Sequence, residues 1–314
     1  MRIGIFIDGT FIPERDGAST RFAHLPTKLA KAGVEVVVFH CFRGWSQLER
    51  ICNQPYTTYF FPPEVFYTDL NLLRHLVREQ RIDIIQVNDA ETMQVIGFPL
   101  SSILNIRTVY EAHYHTSTLA RSLGLPQDRI QSLELLEHEV GMHADEIITF
   151  TEQDRQRWIT FSGCDRQRVS VVPFGVPSVK FTTGKRKAQM LFLGNMYYEP
   201  NRRAVECIIK DILPIVRSLC SEVHTVIAGD IPENLRELCQ SAGMEVIGET
   251  PDLTPWLCES LVGLAPVSEG GGVRVKILQY LSNGLPVVAT PVAAEGLIFP
   301  ALFQEDNLTK YALR

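Results

Sequence analysis

The chain is an alternation of short apolar runs and segments with helical periodicity. Residues 34–39 (VEVVVF) show the type: they are β-branched and apolar on both faces, as in strands buried inside a parallel sheet. Similar runs are 3–7, 82–87, 108–111, 146–150, 169–172, 190–193, 224–228, 245–247, 262–265 and 286–289. Helical patterns occur at 21–32, 69–80, 131–144, 152–161, 201–219 (with a break near Pro214), 235–242, 253–259 and 273–283. Repeated strand–helix–strand units predict α/β domains whose parallel sheets are covered by helices on both faces.

The alternation pauses once and then restarts. After residues 173–175 the chain becomes polar and basic and has no periodicity. We therefore predict a Rossmann-like N-terminal domain over 1–176, a linker over 177–187 and a second Rossmann-like domain over 188–314. A length of 314 residues fits two domains.

Composition excludes several classes of protein. With 45% hydrophobic and 21% charged residues the chain is not disordered, and its net charge of −6 is unsuited to general binding of nucleic acid. The seven cysteines are odd in number and form no C-x-x-C pair, which favours a reducing cytoplasm over a disulfide or zinc framework. No apolar run approaches a membrane span, although contact with the inner membrane surface is left open.

Ligands of open parallel sheets bind beyond the carboxyl ends of the strands, and one such segment is unusual. Residues 266–284 (PVSEGGGVRVKILQYLSNG) place Gly270, Gly271 and Gly272 before a helix. Arg274 and Lys276 follow in its predicted first turn, where cations oppose the helix dipole. A bound diphosphate would reverse that cost, because helix N-termini present unpaired N–H groups to anions. The alternative is a plain glycine turn followed by a solvated helix.

Spacing along this helix separates two faces. Lys276 and Gln279 are three residues apart and share one face, whereas Ile277, Leu278 and Leu281 are predicted to face the core.

Two segments of the second domain resemble a known family. SEGGGVRVKILQYLSNGLPVVATPVAAEGL and FLGNMYYEPNRRAVECIIKDILP are similar to the donor-site segments of retaining GT-B glycosyltransferases of family 4, glycosyl transferases group 1. Weaker similarities are DGAST-R, DIIQVND, EAHYH, HADEIITFTEQDR and VVPFGV. The resemblance implies a GT-B fold, in which two Rossmann-like domains with parallel sheets face a central cleft. It implies an acceptor-side N-terminal domain and a C-terminal domain that binds a nucleotide sugar.

The resemblance also implies roles for particular residues. Catalytic roles fall on His113, near the reacting sugar, and on Arg274 and Lys276, which would neutralise the departing diphosphate. The implied donor-binding residues are Gly194, Asn195, Thr250, Glu269, Gly270, Gly271, Gly272, Gln279 and Glu295. Gly17 and Thr20 match the glycine-rich loop near the diphosphate or acceptor.

The chain departs from the family pattern in two ways. The family carries two glutamates seven residues apart, and here those positions are Gly271 and Gln279, with Glu269 two residues earlier. Glutamine still hydrogen-bonds a ribose or sugar hydroxyl. The sequence stops at Arg314, soon after the EGL motif, which suggests a shortened or truncated member.

The expected function is hexosyl transfer from a nucleotide sugar to an unidentified saccharide, lipid or protein acceptor. The family reaction retains the anomeric configuration, and we expect no metal and no cofactor. The leading alternative is a catalytically silent, glycosyltransferase-like binding or partner subunit, motivated by both departures. A sugar-nucleotide epimerase fits the GGGVRVK segment less well.

Other polar residues in these loops have structural explanations at least as good as functional ones. Glu111 is expected to anchor its loop, and Asp8 and Asp16 to cap or stabilise turns. The same holds for the remaining polar and aromatic loop residues, which are His115, Tyr197, Tyr198, Arg202 and Arg203.

Overall fold

The computed structural model describes residues 1–9, 17–43, 51, 53–176, 186–250 and 252–313. The chain divides into two compact units, Met1–Pro173 and Phe174–Arg314. Most of the predicted linker, and Asp16, lie outside the described residues.

Seven described strands of the first unit form one parallel sheet in the order β3-β2-β1-β4-β5-β6-β7. The strands are β1 (Arg2–Asp8), β2 (Glu35–Cys41), β3 (Thr57–Phe61), β4 (Ile84–Val87), β5 (Arg107–Glu111), β6 (Glu146–Thr149) and β7 (Val169–Val171). Side chains alternate between its two faces: Phe6 packs in one core cluster, while Ile5 and Ile7 pack in the other. The predicted parallel, two-faced sheet is confirmed.

Helices cover this sheet between its strands. They are α1 (Gly17–Lys31), α2 (Pro63–Thr68), α3 (Leu70–Glu79), α4 (Ala90–Thr92, a π-helical turn Met93–Gly97, then Phe98–Leu104), α5 (Thr116–Ser122), α6 (Gln127–His143) and α7 (Glu152–Ser162). The sequence pattern missed β3, α2, α4 and α5. The sequence TTYFF of β3 lacks the aliphatic signature of the strands that were predicted.

Six described strands of the second unit form a parallel sheet in the order β10-β9-β8-β11-β12-β13. Its strands are β8 (Gln189–Leu193), β9 (His224–Ala228), β10 (Glu245–Gly248), β11 (Val262–Ala265), β12 (Val287–Ala289) and β13 (Leu302–Gln304). Its helices are α8 (Glu199–Cys207, a π-helical turn Ile208–Ile212, then Leu213–Leu219), α9 (Glu233–Ser241), α10 (Thr254–Glu259), α11 (Val275–Ser282) and α12 (Leu308–Leu313). The sequence pattern missed β13 and α12.

The predicted break near Pro214 is a π-helical turn immediately before that residue. Proline has no N–H to donate to the carbonyl of Lys210, so the regular ladder cannot continue through this position.

Strand order reverses once in each sheet. In the first unit β1 lies between β2 and β4, and in the second β8 lies between β9 and β11. Loops that leave neighbouring strands toward opposite faces open a crevice at such a switch point. The loops after β8 and β11 are the two segments that the sequence singled out.

No described helix combines the length and the apolar character needed to cross a bilayer.

Candidate functional site

The glycine segment of the second unit forms a tight turn between β11 and α11. Gly270 and Gly272 have φ values of +111° and +71°, a region that glycine adopts without strain. A Cβ on Gly270 would lie 2.9 Å from Nη2 of Arg274 and 3.0 Å from the Tyr198 hydroxyl. Gly270 therefore permits both the backbone conformation and the close packing of this turn.

Arg274 organises this turn. Its guanidinium donates to the carbonyl oxygens of Gly272 at 2.9 Å and Glu269 at 3.2 Å, and also to that of Gly271. Arg274 is the N-cap of α11 and lies just before its first turn, which corrects the predicted helix start.

Lys276 lies under the end of β8. Its ammonium donates to Oδ1 of Asn201 at 2.7 Å and lies 4.0 Å from the centre of the Phe192 ring. A Cβ on Gly194 would be 3.1 Å from the Lys276 Nζ atom. Burial lowers the pKa of the Lys276 ammonium well below its usual range, and nearby Arg274 lowers it further.

Within the described ranges, no carboxylate forms an ion pair with Lys276. An ammonium removed from bulk water without an opposing charge is electrostatically incomplete. The ammonium therefore has only neutral partners among the described residues, an arrangement that can accept an anion, at the switch point of the sheet.

Glu269 joins the glycine turn to α8. Its Oε2 accepts from Nη1 of Arg203 at 2.9 Å, and its Oε1 is buried without a hydrogen-bond partner in the described part of the chain. Arg203 also donates to Glu199. Arg203 is exposed on α8, and it also contacts a predicted site residue.

The other predicted donor-binding residues occupy different places in the second unit. Asn195 follows Gly194, and its Oδ1 accepts from the Tyr197 N–H at 2.9 Å. Thr250 lies beyond β10, where its hydroxyl donates to the Asp252 carbonyl at 3.3 Å. Gln279 is partly buried on α11, and Glu295 lies in the turn before Gly296.

One prediction about α11 is corrected. Ile277 and Leu278 face the core as predicted, but Leu281 is only partly buried, and Tyr280 takes the central place. The Tyr280 hydroxyl accepts from the Leu193 N–H at 2.7 Å, so a tyrosine ties this helix to the end of β8.

In the first unit, His113 belongs to a buried polar network at the end of β5. Its Nε2 lies 3.0 Å from Oε1 of Glu111, and its ring packs against Phe22 and Phe150. Arg21 binds both carboxylate oxygens of Glu111 at 3.0 and 3.2 Å, and Gln86 donates to Oε2 at 2.9 Å. Glu111 is thus the anchor that the sequence suggested, whereas the parts of Arg21 and Gln86 were not predicted.

Opposing effects act on the Glu111 carboxyl. Burial would raise its pKa, but the hydrogen bond and charge of His113, together with Arg21, lower it to about 2.

The remaining loop residues of the first unit have structural roles. Asp8 accepts from Arg43 at 2.8 Å through each oxygen and from the Tyr67 hydroxyl at 2.5 Å. His115 stacks on Trp158 with ring centres 4.3 Å apart and is buried.

Gly17 and Thr20 are not in a loop, which corrects the prediction. They lie in the first turn of α1, which starts four residues earlier than the pattern indicated. Burial of Ser19 and Thr20 against the sheet outweighs their modest helix propensity.

We expect Glu111→Gln to flatten the acid limb of the stability curve. The native pKa is depressed, so the ionised carboxyl contributes stability above about pH 4.5 and loses it as the pH falls toward about 2. That contribution is at most about 3 kcal/mol. Urea unfolding from pH 6 to pH 3 measures it, with Glu64→Gln, an exposed carboxyl, as control. An unchanged pH slope in Glu111→Gln would contradict the network.

Among the described residues, no group of three or more His, Cys, Asp or Glu side chains is arranged to hold a metal ion.

Comparison with solved structures identifies the class of fold. A glycosyltransferase from Rickettsia africae ESF-5 is similar over 99% of this chain and 86% of its own, with 12% identity and a TM-score of 0.74. HepE from Anabaena in complex with UDP-glucose is similar over 100% and 88%, with 13% identity and a TM-score of 0.73. A TarM mutant from S. aureus in complex with Fondaparinux, alpha-GlcNAc-glycerol and UDP is similar over 99% of this chain and 91% of its own, with 9% identity and a TM-score of 0.69. The two domains have the predicted GT-B fold.

Family models then place the sequence. Residues 15–179 match Glycosyltransferase Family 4, and residues 187–309 match Glycosyl transferases group 1. The chain belongs to glycosyltransferase family 4. No curated protein matches it.

Proposed function

We propose that this glycosyltransferase moves a hexosyl group from a nucleotide sugar to an acceptor with retention of the anomeric configuration. One observation carries the proposal. The ammonium of Lys276 lies at the switch point of the second sheet, held by a neutral amide and an aromatic face, without a carboxylate partner among the described residues. A diphosphate supplies the missing negative charge.

In the proposed reaction the bond from the sugar C1 to the diphosphate oxygen breaks, and C1 bonds to the oxygen of an acceptor hydroxyl, whose proton is released to water. Negative charge grows on the departing diphosphate. Lys276 stabilises that charge directly, and Arg274 shapes the glycine turn and adds its own positive field. This stabilisation needs no proton transfer to the leaving group.

The other roles are assigned by the family resemblance. The diphosphate is lined by Gly194, Asn195 and the turn at 270–272. The sugar or ribose hydroxyls are bound by Glu269, Gln279 and Glu295. Thr250 lies on the side of the base. In the first unit, Gly17 and Thr20 offer the start of α1 to the phosphates, and His113, oriented by Glu111, meets the reacting sugar. Structural neighbours crystallised with UDP or UDP-glucose support a nucleotide-sugar donor.

Release of nucleoside diphosphate tests the proposal. Purified protein is assayed with UDP-, GDP- and ADP-sugars, with and without a cell extract as the source of acceptors, beside an Arg274→Ala/Lys276→Ala variant. Transfer is supported if the wild-type protein releases nucleoside diphosphate and the double variant does not. NMR of the product's anomeric proton tests retention. Binding without release, even with extract, would favour the silent subunit. Failure to bind any of the nucleotide sugars would overturn both functions.

A further inference from the structure

Asn201 accepts a hydrogen bond from Lys276, and its sequence context did not point to a role for it. It lies in the first turn of α8, within the EPNRRA motif, 75 positions before the lysine. Its side chain makes two hydrogen bonds. Oδ1 accepts from the Lys276 ammonium at 2.7 Å, and Nδ2 donates to the Asn195 carbonyl at 2.9 Å.

Only one orientation of this amide satisfies both neighbours. An ammonium can only donate and a carbonyl oxygen can only accept, so Oδ1 must face Lys276 and Nδ2 must face Asn195. The amide thereby links the loop after β8 to the lysine on α11. A side chain with two acceptors would place an oxygen against the Asn195 carbonyl.

The neutrality of this partner matters as much as its geometry. An aspartate here would place a full negative charge beside the ammonium and neutralise its positive charge within the protein. Asparagine fixes the position of the ammonium with a dipole alone. The Phe192 ring on another side of the ammonium is likewise neutral.

Close packing leaves the ammonium little freedom. A Cβ on Gly194 would lie 2.8 Å from Nδ2 of Asn201 and 3.1 Å from Nζ of Lys276. Glycine at the end of β8 therefore allows the lysine and the asparagine to meet directly under the backbone of the loop.

We propose that Asn201 is a positioning residue that aims the Lys276 ammonium at the donor's diphosphate while leaving its positive charge uncompensated. This inference rests on the proposed function and adds to it the reason why the cation is available. Asn201 acts through Lys276 and through the loop after β8.

Two substitutions separate this role from a structural one. Asn201→Ala removes both hydrogen bonds and keeps the site neutral, and we expect UDP affinity to fall roughly tenfold. Asn201→Asp retains an acceptor for Lys276 and adds a charge, and we expect a larger loss, of about 100-fold. If Asn201 served only to brace the loop, the two variants would lose similar affinity.

A ligand-free readout makes the test independent of turnover. The pKa of Lys276 is followed through its side-chain carbon resonance by NMR, with Lys276→Met identifying the signal. Asn201→Asp should raise this pKa, because the carboxylate favours the charged ammonium. Asn71→Asp is the matched control, since it introduces the same charge into the exposed first turn of α3.

The outcomes are distinct. A raised Lys276 pKa together with the ordered loss of UDP affinity supports the inference. Wild-type binding of UDP, with Asn201→Asp equal to wild type or to Asn201→Ala, overturns the inference and leaves the proposed function standing. If UDP, GDP and ADP all fail to bind the wild-type protein, the proposed function itself is wrong.

Discussion

Replacing Lys276 by methionine should reduce nucleoside diphosphate release by about 100-fold or more without unfolding the protein. Methionine preserves most of the apolar stem against Phe192 but removes the cation that we propose stabilises the leaving group. Loss of one preorganised electrostatic contact to a departing anion typically costs about 100- to 1,000-fold in rate. Steady-state kinetics with the best donor, together with thermal unfolding, measure both effects.

Lys210→Met is the matched control, because Lys210 is exposed on the π-helical turn of α8. It should retain the wild-type rate. A Lys276→Met variant with wild-type turnover would contradict the assignment of this ammonium to the diphosphate.

The same lysine predicts how donor affinity changes with pH. Burial and Arg274 lower its pKa in the free protein, whereas a bound diphosphate favours the charged form and raises it. Binding therefore takes up a proton, and affinity for UDP should fall as the pH rises through the free-protein pKa. Calorimetry over a pH range that extends from acid to alkaline measures this dependence, which Lys276→Met should lack.

Gly229→Ala should be the most destabilising of the glycine substitutions in the second unit. Gly229 follows β9 with a φ of +123°, and a Cβ on it would lie only 1.9 Å from the carbonyl oxygen of Gly194. That clash is with backbone, so it cannot be relieved by turning a side chain. We expect a loss of at least about 3 kcal/mol in the free energy of unfolding.

Substitutions at two other glycines separate the contribution of backbone strain from that of the steric clash. Gly163→Ala has open space but a φ of +68°, and should cost about 1–2 kcal/mol from backbone strain alone. Gly175→Ala has open space and no positive φ, and should stay within about 0.5 kcal/mol. Urea denaturation of all three variants gives the series. A Gly229→Ala variant no less stable than Gly163→Ala would contradict the close approach of the loops after β8 and β9.

Much of the fold follows from the sequence because buried parallel strands have a distinctive composition. Residues 34–39 and 224–228 were predicted as strands to within about two residues at each end. The strands that were missed, β3 (TTYFF) and β13 (LFQ), contain no aliphatic run of the kind that marks the others. The start of α11 was predicted two residues early, at Val273 rather than Val275.

The candidate site was predicted in its parts but not in its connections. The glycine turn and Lys276 are visible as a local conflict between cations and a helix start. The sequence around Asn201 shows no comparable conflict with helix formation. Asn201 contacts Lys276 only because β8 and β11 are neighbours at the switch point. Pairing of distant segments of this kind is decided by sheet topology. The signal that could have indicated Asn201 is its position six residues after Asn195, in the first turn of the helix that follows this loop.

The contacts of Arg274 also bear on the kinetics of ligand capture. One guanidinium bonds to the carbonyls of Glu269, Gly271 and Gly272, so this segment loses its configurational freedom during folding. A ligand arriving there has less disorder to suppress, and the benefit should appear as a longer residence time more than as faster association.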